Sequence, residues 1–168
     1  MKDFFLPEDW PAPNDYLLEM GRIFALWGSL EAGINLAITK LAGNEIRTEW
    51  RSAILITHSN FQQRVNMLET LCYELQTVYK NLSKFKSVIS NINKVKNDRN
   101  KFAHNSMYLN KETGKVETSY VSARGKLKAK IKEVKLEELQ QLSADIHKVI
   151  LDLHHLITQV RYPPIWER

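Results

Sequence analysis

Apolar residues recur every three or four positions along most of the chain, which is the period of amphipathic helices. The first stripe runs from Ile23 to Leu41, is preceded by a possible cap at Asn14 or Asp15, and ends at Gly43-Asn44. The pattern predicts five helices, at about 14–41, 48–56, 61–75, from 81 to the run Arg99–His104, and 136–162. The third follows a capping residue, Ser59 or Asn60, and the last ends before Pro163-Pro164.

The helical period breaks between Met107 and Val134. Two β-type segments flank a polar stretch that contains Thr113-Gly114, which predicts a hairpin with its turn there. Lysines then alternate with apolar residues over 126–132, a pattern typical of a strand with one lysine face. The expected fold is all-α, an up-and-down bundle of four to five helices. It carries a small β insert, about 107–134, between the last two long helices.

The length of 168 residues is typical of one domain with its own core. Residues 1–13 contain three prolines and are predicted to form an extended N-terminal arm. Residues 14–162 are predicted to form a single helical domain, followed by a C-terminal tail at 163–168.

Composition narrows the class of protein. The formal net charge is +5, a modest basic bias that suits a polyanionic partner. The single cysteine, Cys72, excludes an internal disulfide framework and is interpreted as a small core residue. No segment is apolar enough to span a membrane, and the acidic, proline-broken N-terminus does not resemble a signal peptide. We therefore expect a cytoplasmic protein with no membrane partner.

A run from Arg99 to His104 brings a guanidinium, an amide and an imidazole within about two helical turns. Arg99 continues the apolar stripe of Val88, Ile92 and Val95, where leucine or isoleucine is usual. A charge on such a face costs free energy unless it is paired or lies in a polar groove. Arg99 is therefore a candidate functional residue. The alternative, an arginine at the frayed end of the stripe or one paired with a buried carboxylate, stays open.

The spacing of Arg99, Asn100 and His104 resembles the Arg-polar-x-x-x-His signature of the HEPN superfamily. Trp27-Gly28-Ser29-Leu30-Glu31, in the first helix, is similar to the Trp-x-x-Leu-Glu pattern of that family. The resemblance implies a homodimeric helical bundle and a metal-independent endoribonuclease of toxin–antitoxin or phage-defence systems, with an antitoxin as a further partner. Carried over by position, Arg99 and His104 would be catalytic, Asn100 a polar helper and Glu31 a supporting acid.

The same residue types suit RNA cleavage without a metal or other cofactor. The ribose 2′-hydroxyl is the nucleophile, a histidine can act as base or acid, and an arginine can hold the phosphate oxygens. The products would be a 2′,3′-cyclic phosphate and a 5′-hydroxyl. On an unbroken helix Arg99 and His104 lie roughly 140° apart. Either the helix unwinds before His104, or Arg99 works with His104 of the partner subunit.

Further residues are candidates for contacting RNA through phosphates or bases. They are Lys101, Lys126, Lys128, Lys130, Lys132 and Tyr108, with Tyr120 as a second stacking candidate. The lysine strand has an alternative interpretation as a solvated sheet edge guarded by lysines, and the tyrosines as packing residues of the hairpin. His147 and His154 share a helix face, but no cysteine or acidic cluster completes a metal set, and no metal site is predicted.

Two other classes of function stay open. One is a non-catalytic module that binds a nucleotide or RNA through Arg99 and Asn100. The other is a structural dimerisation module in which the motif braces a helix end.

Overall fold

The computed structural model describes residues 7, 9–43, 51–122 and 125–167. Its helices make up 66% of the structure, so the chain is mostly α-helical, as the apolar periodicity predicts. The described helices are α1 (Asn14–Leu41), α2 (Arg51–Ile56), α3 (Phe61–Leu75), α4 (Phe85–Ala103) and α5 (Leu136–Thr158). The strands are β1 (Met107–Asn110), β2 (Lys115–Ser122) and β3 (Lys128–Glu133). They lie between α4 and α5 in the chain, where the sequence predicts the β insert.

Helix boundaries follow local chemistry. Asn60 is the cap of α3, and its side chain and that of Gln63 each accept a backbone N–H of the other residue. The predicted start of the second helix at residue 48 lies outside the described residues. The prediction for the fourth helix is early by four residues, because Lys80–Lys84 form a 3₁₀ turn before α4 begins. In that turn the Leu82 N–H donates to the Tyr79 carbonyl, which is the tighter i to i+3 pattern.

The three strands form an antiparallel sheet in the order β1-β2-β3. The predicted turn is confirmed, since Gly114 has a positive φ of 69° and its N–H donates to the Asn110 carbonyl. The segment before α1 reaches the sheet as well, because the Leu109 N–H donates to the Pro11 carbonyl.

Cross-strand register defines two faces of the sheet. Val116 and Thr118 are buried and mark the inner face, and Lys132 lies opposite Thr118 on that side. Lys130 and Lys128 follow on the same face of β3, so the single lysine face is confirmed for this strand. All residues of β3 are exposed, whichever face of the sheet they lie on. Lys126 precedes the strand.

The described chain divides into two compact units. One consists of the chain up to Phe24 together with Lys96–Ala144, and the other of Ala25–Val95 with the chain from Asp145 onward. The units interleave along the sequence, and the single domain at 14–162 stays a prediction. None of the helices in the described ranges is both long and apolar enough to cross a membrane.

Each unit has a buried core that follows the predicted stripes. The first unit buries Ile23, Val116, Val134, Leu139 and Leu142. In the second, most core residues come from α1, α3, α4 and α5, and they include Leu30, Ile34, Val65, Leu68, Phe85, Ile92 and Ile146. Cys72 is completely buried there, and burial raises the pKa of its thiol to about 11. A thiol that stays protonated fits the interpretation of Cys72 as a core residue.

Candidate functional site

The C-terminal end of α4 places the residues of the motif. The helix ends at Ala103, and His104 and Asn105 form a turn that leads into β1. The Asn105 side-chain amide donates to the Lys101 carbonyl over 2.8 Å and so occupies one of the free carbonyls of the last helical turn. His104 is exposed just beyond the helix. The separation of 140° expected on an unbroken helix therefore does not apply to Arg99 and His104.

The Arg99 guanidinium lies over the ring of Phe24, which is on α1. Its Cζ is 5.3 Å from the ring centroid, a distance typical of a cation–π contact. Phe24 is 44% exposed and Arg99 is half-buried, so the pair stands at the border between core and solvent. Arg99 Nη1 also donates to the Asn100 Oδ1 over 3.3 Å. An aromatic face and a neighbouring amide thus accommodate a charge on an otherwise apolar stripe.

Lys101 points its charge back toward its own helix. Its Nζ lies 2.6 Å from Asp98 Oδ1, and this hydrogen bond raises the pKa of the Lys101 side chain, while partial burial opposes it. Lys101 therefore stays cationic, but an RNA phosphate would have to compete with the Asp98 carboxylate for it.

Tyr108 has an acidic neighbourhood. Its hydroxyl donates to Glu117 Oε2 over 3.2 Å, and the Asn110 amide donates to both oxygens of the same carboxylate. Partial burial and this hydrogen bond raise the pKa of the Tyr108 hydroxyl. Glu117 lies opposite Tyr108 in the register, on the sheet face that does not carry the β3 lysines. The structure thus separates Tyr108 from the lysine strand.

Tyr120, instead, shares the lysine face. It lies opposite Lys130 in the register. The next lysine along, Lys132, forms an ion pair with Glu138 on the first turn of α5, at 3.1 Å. Lys128 and Lys130 form no ion pair with any residue that the structure describes. An aromatic ring and two uncompensated cations therefore lie together on the inner face of β2 and β3.

Glu31 ties α1 to α3 in the second unit. It accepts a hydrogen bond of 2.9 Å from the Trp27 indole N–H and lies 3.8 Å from the Arg64 guanidinium. The Trp27 ring in turn contacts Phe61, with centroids 4.5 Å apart. Trp27 and Glu31, the two ends of the Trp-x-x-Leu-Glu pattern, are therefore one helical turn apart and joined by a hydrogen bond. These contacts give Glu31 a positioning role within its unit.

Arg64 is a further charged residue on α3 that was not singled out from the sequence pattern. It lies between Phe61 and Leu68 on the inward stripe of α3, and it also donates to Asn35 Oδ1 on α1. The same feature that singled out Arg99 would have identified Arg64, because both are charged residues at an apolar position of a helical stripe.

The histidines of α5 contact the C-terminal segment. His147 Nε2 accepts the Ile165 N–H over 3.1 Å and its ring meets Trp166 edge-on, while the His154 ring packs near Tyr162. Nowhere in the described part of the chain do three or more His, Cys, Asp or Glu side chains form a group that could hold a metal ion.

No protein-family model matches this chain, and no curated protein or solved structure matches it. Its function is therefore inferred from the chemistry of its own side chains.

Proposed function

We propose that the protein is a metal-independent endoribonuclease of the HEPN type, acting as a homodimer with a composite active site. The observation that carries the proposal is the arrangement at the end of α4. Arg99 is held over Phe24 beside Asn100, and His104 is exposed where the helix ends. The proposal includes an up-and-down arrangement of the helices, a cytoplasmic location and a role in toxin–antitoxin or phage-defence systems.

Each residue has a defined role in this chemistry. The Arg99 guanidinium binds two non-bridging oxygens of the scissile phosphate and stabilises the charge that develops on them. The His104 imidazole removes the 2′-hydroxyl proton or protonates the leaving 5′-oxygen. The Asn100 amide, already in contact with Arg99, keeps the guanidinium fork oriented.

A two-fold dimer accounts for the second proton transfer. One chain has a single histidine at this end of α4, whereas cleavage needs both a base and an acid. If a two-fold axis passes near the turn at His104, the same groove contains two imidazoles and two guanidinium groups.

A structural role is the second candidate, and one observation favours it. The contact between Arg99 and Phe24 joins two helices, and contacts of this kind also stabilise folds that bind no ligand. In that case Arg99→Ala would lower the stability of the protein and no RNA would be cleaved.

The test is RNA cleavage in the presence of a metal chelator, with analysis of the product ends. We expect wild type to leave 2′,3′-cyclic phosphates and 5′-hydroxyls, and His104→Ala to be slower by about 100-fold or more, the usual contribution of a general acid or base. His58→Ala is the matched control, because His58 is also exposed in a turn but belongs to no candidate site. Equal rates for His104→Ala and wild type would remove the proposed mechanism. RNA binding without cleavage would favour a binding module.

A further inference from the structure

A cavity of about 430 Å³ with a mixed polar and apolar lining lies in the second unit, between the start of α4 and the end of α5. None of its lining residues belongs to the Arg99–His104 site. Ligand pockets have volumes of about 300–1,000 Å³, so the cavity is large enough for a small organic molecule. The lining side chains that bear on ligand chemistry are Ser83, Lys84, Ser87, Asp152, His155 and Arg161.

One hydrogen bond and one backbone conformation fix the walls of the cavity. The Asn81 amide donates to the Leu156 carbonyl over 2.7 Å and joins the 3₁₀ turn to the last turn of α5. At the end of α5, Gln159 has a φ of +60°, a left-handed conformation that a residue other than glycine rarely adopts. The chain reverses there and brings Arg161 back over His155.

Arg161 is oriented for binding an anion. Its Nε–H donates to His155 Nε2 over 3.1 Å. This contact uses one of the five guanidinium N–H groups, and the other four, on the two terminal nitrogens, can bind phosphate in bidentate geometry. A histidine that accepts at Nε2 is neutral and has its proton on Nδ1. The His155 Nδ1 is buried with no hydrogen-bond partner among the residues that the structure describes.

The charge and the donors of the lining favour a phosphate group. Lys84 and Arg161 bring two cations against the single carboxylate of Asp152, and Ser83 adds an exposed hydroxyl. Cations with hydroxyl donors are the usual ligands of a phosphate dianion. The rest of the volume leaves space for a sugar-sized group next to the phosphate.

We propose that this cavity binds a phosphate monoester through Arg161 and Lys84. The ester is carried either by a free small molecule or by the 5′ end of an RNA strand. The proposal is independent of RNA cleavage at His104.

Calorimetric titration with inorganic phosphate, uridine 5′-monophosphate and uridine tests the chemistry. We expect inorganic phosphate and uridine 5′-monophosphate to bind saturably, and uridine not to bind. Arg161→Gln and Lys84→Gln should each weaken uridine 5′-monophosphate binding by about tenfold, which corresponds to removing one charge-assisted hydrogen bond. Asp152→Asn should tighten it severalfold, because a repelling carboxylate is removed.

Lys86→Gln is the matched control, since Lys86 is an exposed lysine two residues from Lys84 and does not line the cavity. All substituted positions are at the surface of the cavity, and unchanged thermal unfolding midpoints verify that the variants fold. An equal decrease in affinity with Lys86→Gln, or equal affinities for uridine and its monophosphate, would overturn the proposal.

A second arm separates the two sources of phosphate. A short RNA with a 5′-phosphate is compared with the same RNA bearing a 5′-hydroxyl, in the His104→Ala background so that neither is cleaved. A preference for the phosphorylated RNA that Arg161→Gln abolishes supports the site and assigns it to RNA ends. No preference, with saturable uridine 5′-monophosphate binding, supports the site and assigns it to small molecules. The cleavage test at His104 can fail while this test succeeds, and the reverse.

Discussion

At the scale of single residues, the pair of Arg99 and Phe24 decides how the motif is presented. A guanidinium on an apolar stripe would lose hydration without compensation, and the aromatic face replaces part of that interaction. Because Phe24 is nearly half exposed, the Arg99 charge is held near solvent, where a phosphate can reach it. Phe24 is thus a positioning residue for the proposed site.

We expect Phe24→Leu to slow single-turnover RNA cleavage by about two- to fivefold, since a partly exposed cation–π contact contributes about 0.5–1 kcal/mol. Phe24→Trp should retain the wild-type rate, because the indole ring is the stronger partner of a cation. Leu18→Ala, at another exposed apolar position of α1, serves as control. The positioning role would be wrong if the leucine variant cleaved as fast as the tryptophan variant.

Arg99 and Phe24 also show which parts of the site can be predicted from the sequence. Arg99 could be singled out because the period of α4 is visible in the sequence. Phe24 could not, because it lies one position off the stripe of α1, and its meeting with Arg99 depends on how two distant helices cross. The exposed position of His104 follows from the end of α4 at Ala103, which the sequence left as one of two alternatives.

At the scale of elements, the β insert divides the predicted RNA contacts between two faces of one sheet. The hairpin, its turn and the lysine face could be predicted from alternation and from Thr113-Gly114. Which tyrosine shares the lysine face could not, because the register places Tyr108 opposite Glu117 and Tyr120 opposite Lys130. The register depends on how two strands pair with each other, and the sequence pattern of a single strand does not contain that information.

The lysines of β3 should differ in their contribution to RNA binding. We expect the double variant Lys128→Gln/Lys130→Gln to weaken binding and to lower the slope of log affinity against log salt by about 1.4, or about 0.7 for each phosphate of single-stranded RNA that is no longer neutralised. Lys132→Gln should have a smaller effect, because Lys132 is already paired with Glu138.

Fluorescence anisotropy with a labelled single-stranded RNA, over a series of salt concentrations and in the His104→Ala background, measures these slopes. An effect of Lys132→Gln as large as that of the double variant would contradict this assignment. If neither the double variant nor Lys132→Gln changes the slope, the β3 lysines do not bind RNA and instead prevent the sheet edge from pairing with another strand.

At the scale of the whole molecule, the proposal depends on how two chains share one site. A composite site can draw Arg99 from one chain and His104 from the partner subunit, or take both from the same chain. Mixing wild type with the inactive double variant Arg99→Ala/His104→Ala tests whether one site needs both chains, because a mixed dimer then lacks one of the two histidines that the groove requires.

Wild type and the double variant are mixed in equal amounts and their subunits are allowed to exchange before the assay. If the site needs both chains, we expect roughly a quarter of the wild-type rate at the same total protein concentration, since only the quarter of dimers with two wild-type chains stays active. Co-purification of differently tagged copies establishes the exchange. With exchange established, half of the wild-type rate would show that each chain acts by itself, and a monomer in solution would exclude the shared site altogether.

The buried thiol of Cys72 has a practical consequence for such work. It is the only cysteine of the chain, it has no exposed surface, and its pKa of about 11 keeps it out of the thiolate form at neutral pH. A cysteine introduced at the exposed Ser106, two residues after His104, would then be the one site that a maleimide probe modifies. Spin labels attached there would report the separation of the two turns in a dimer with the native core left intact.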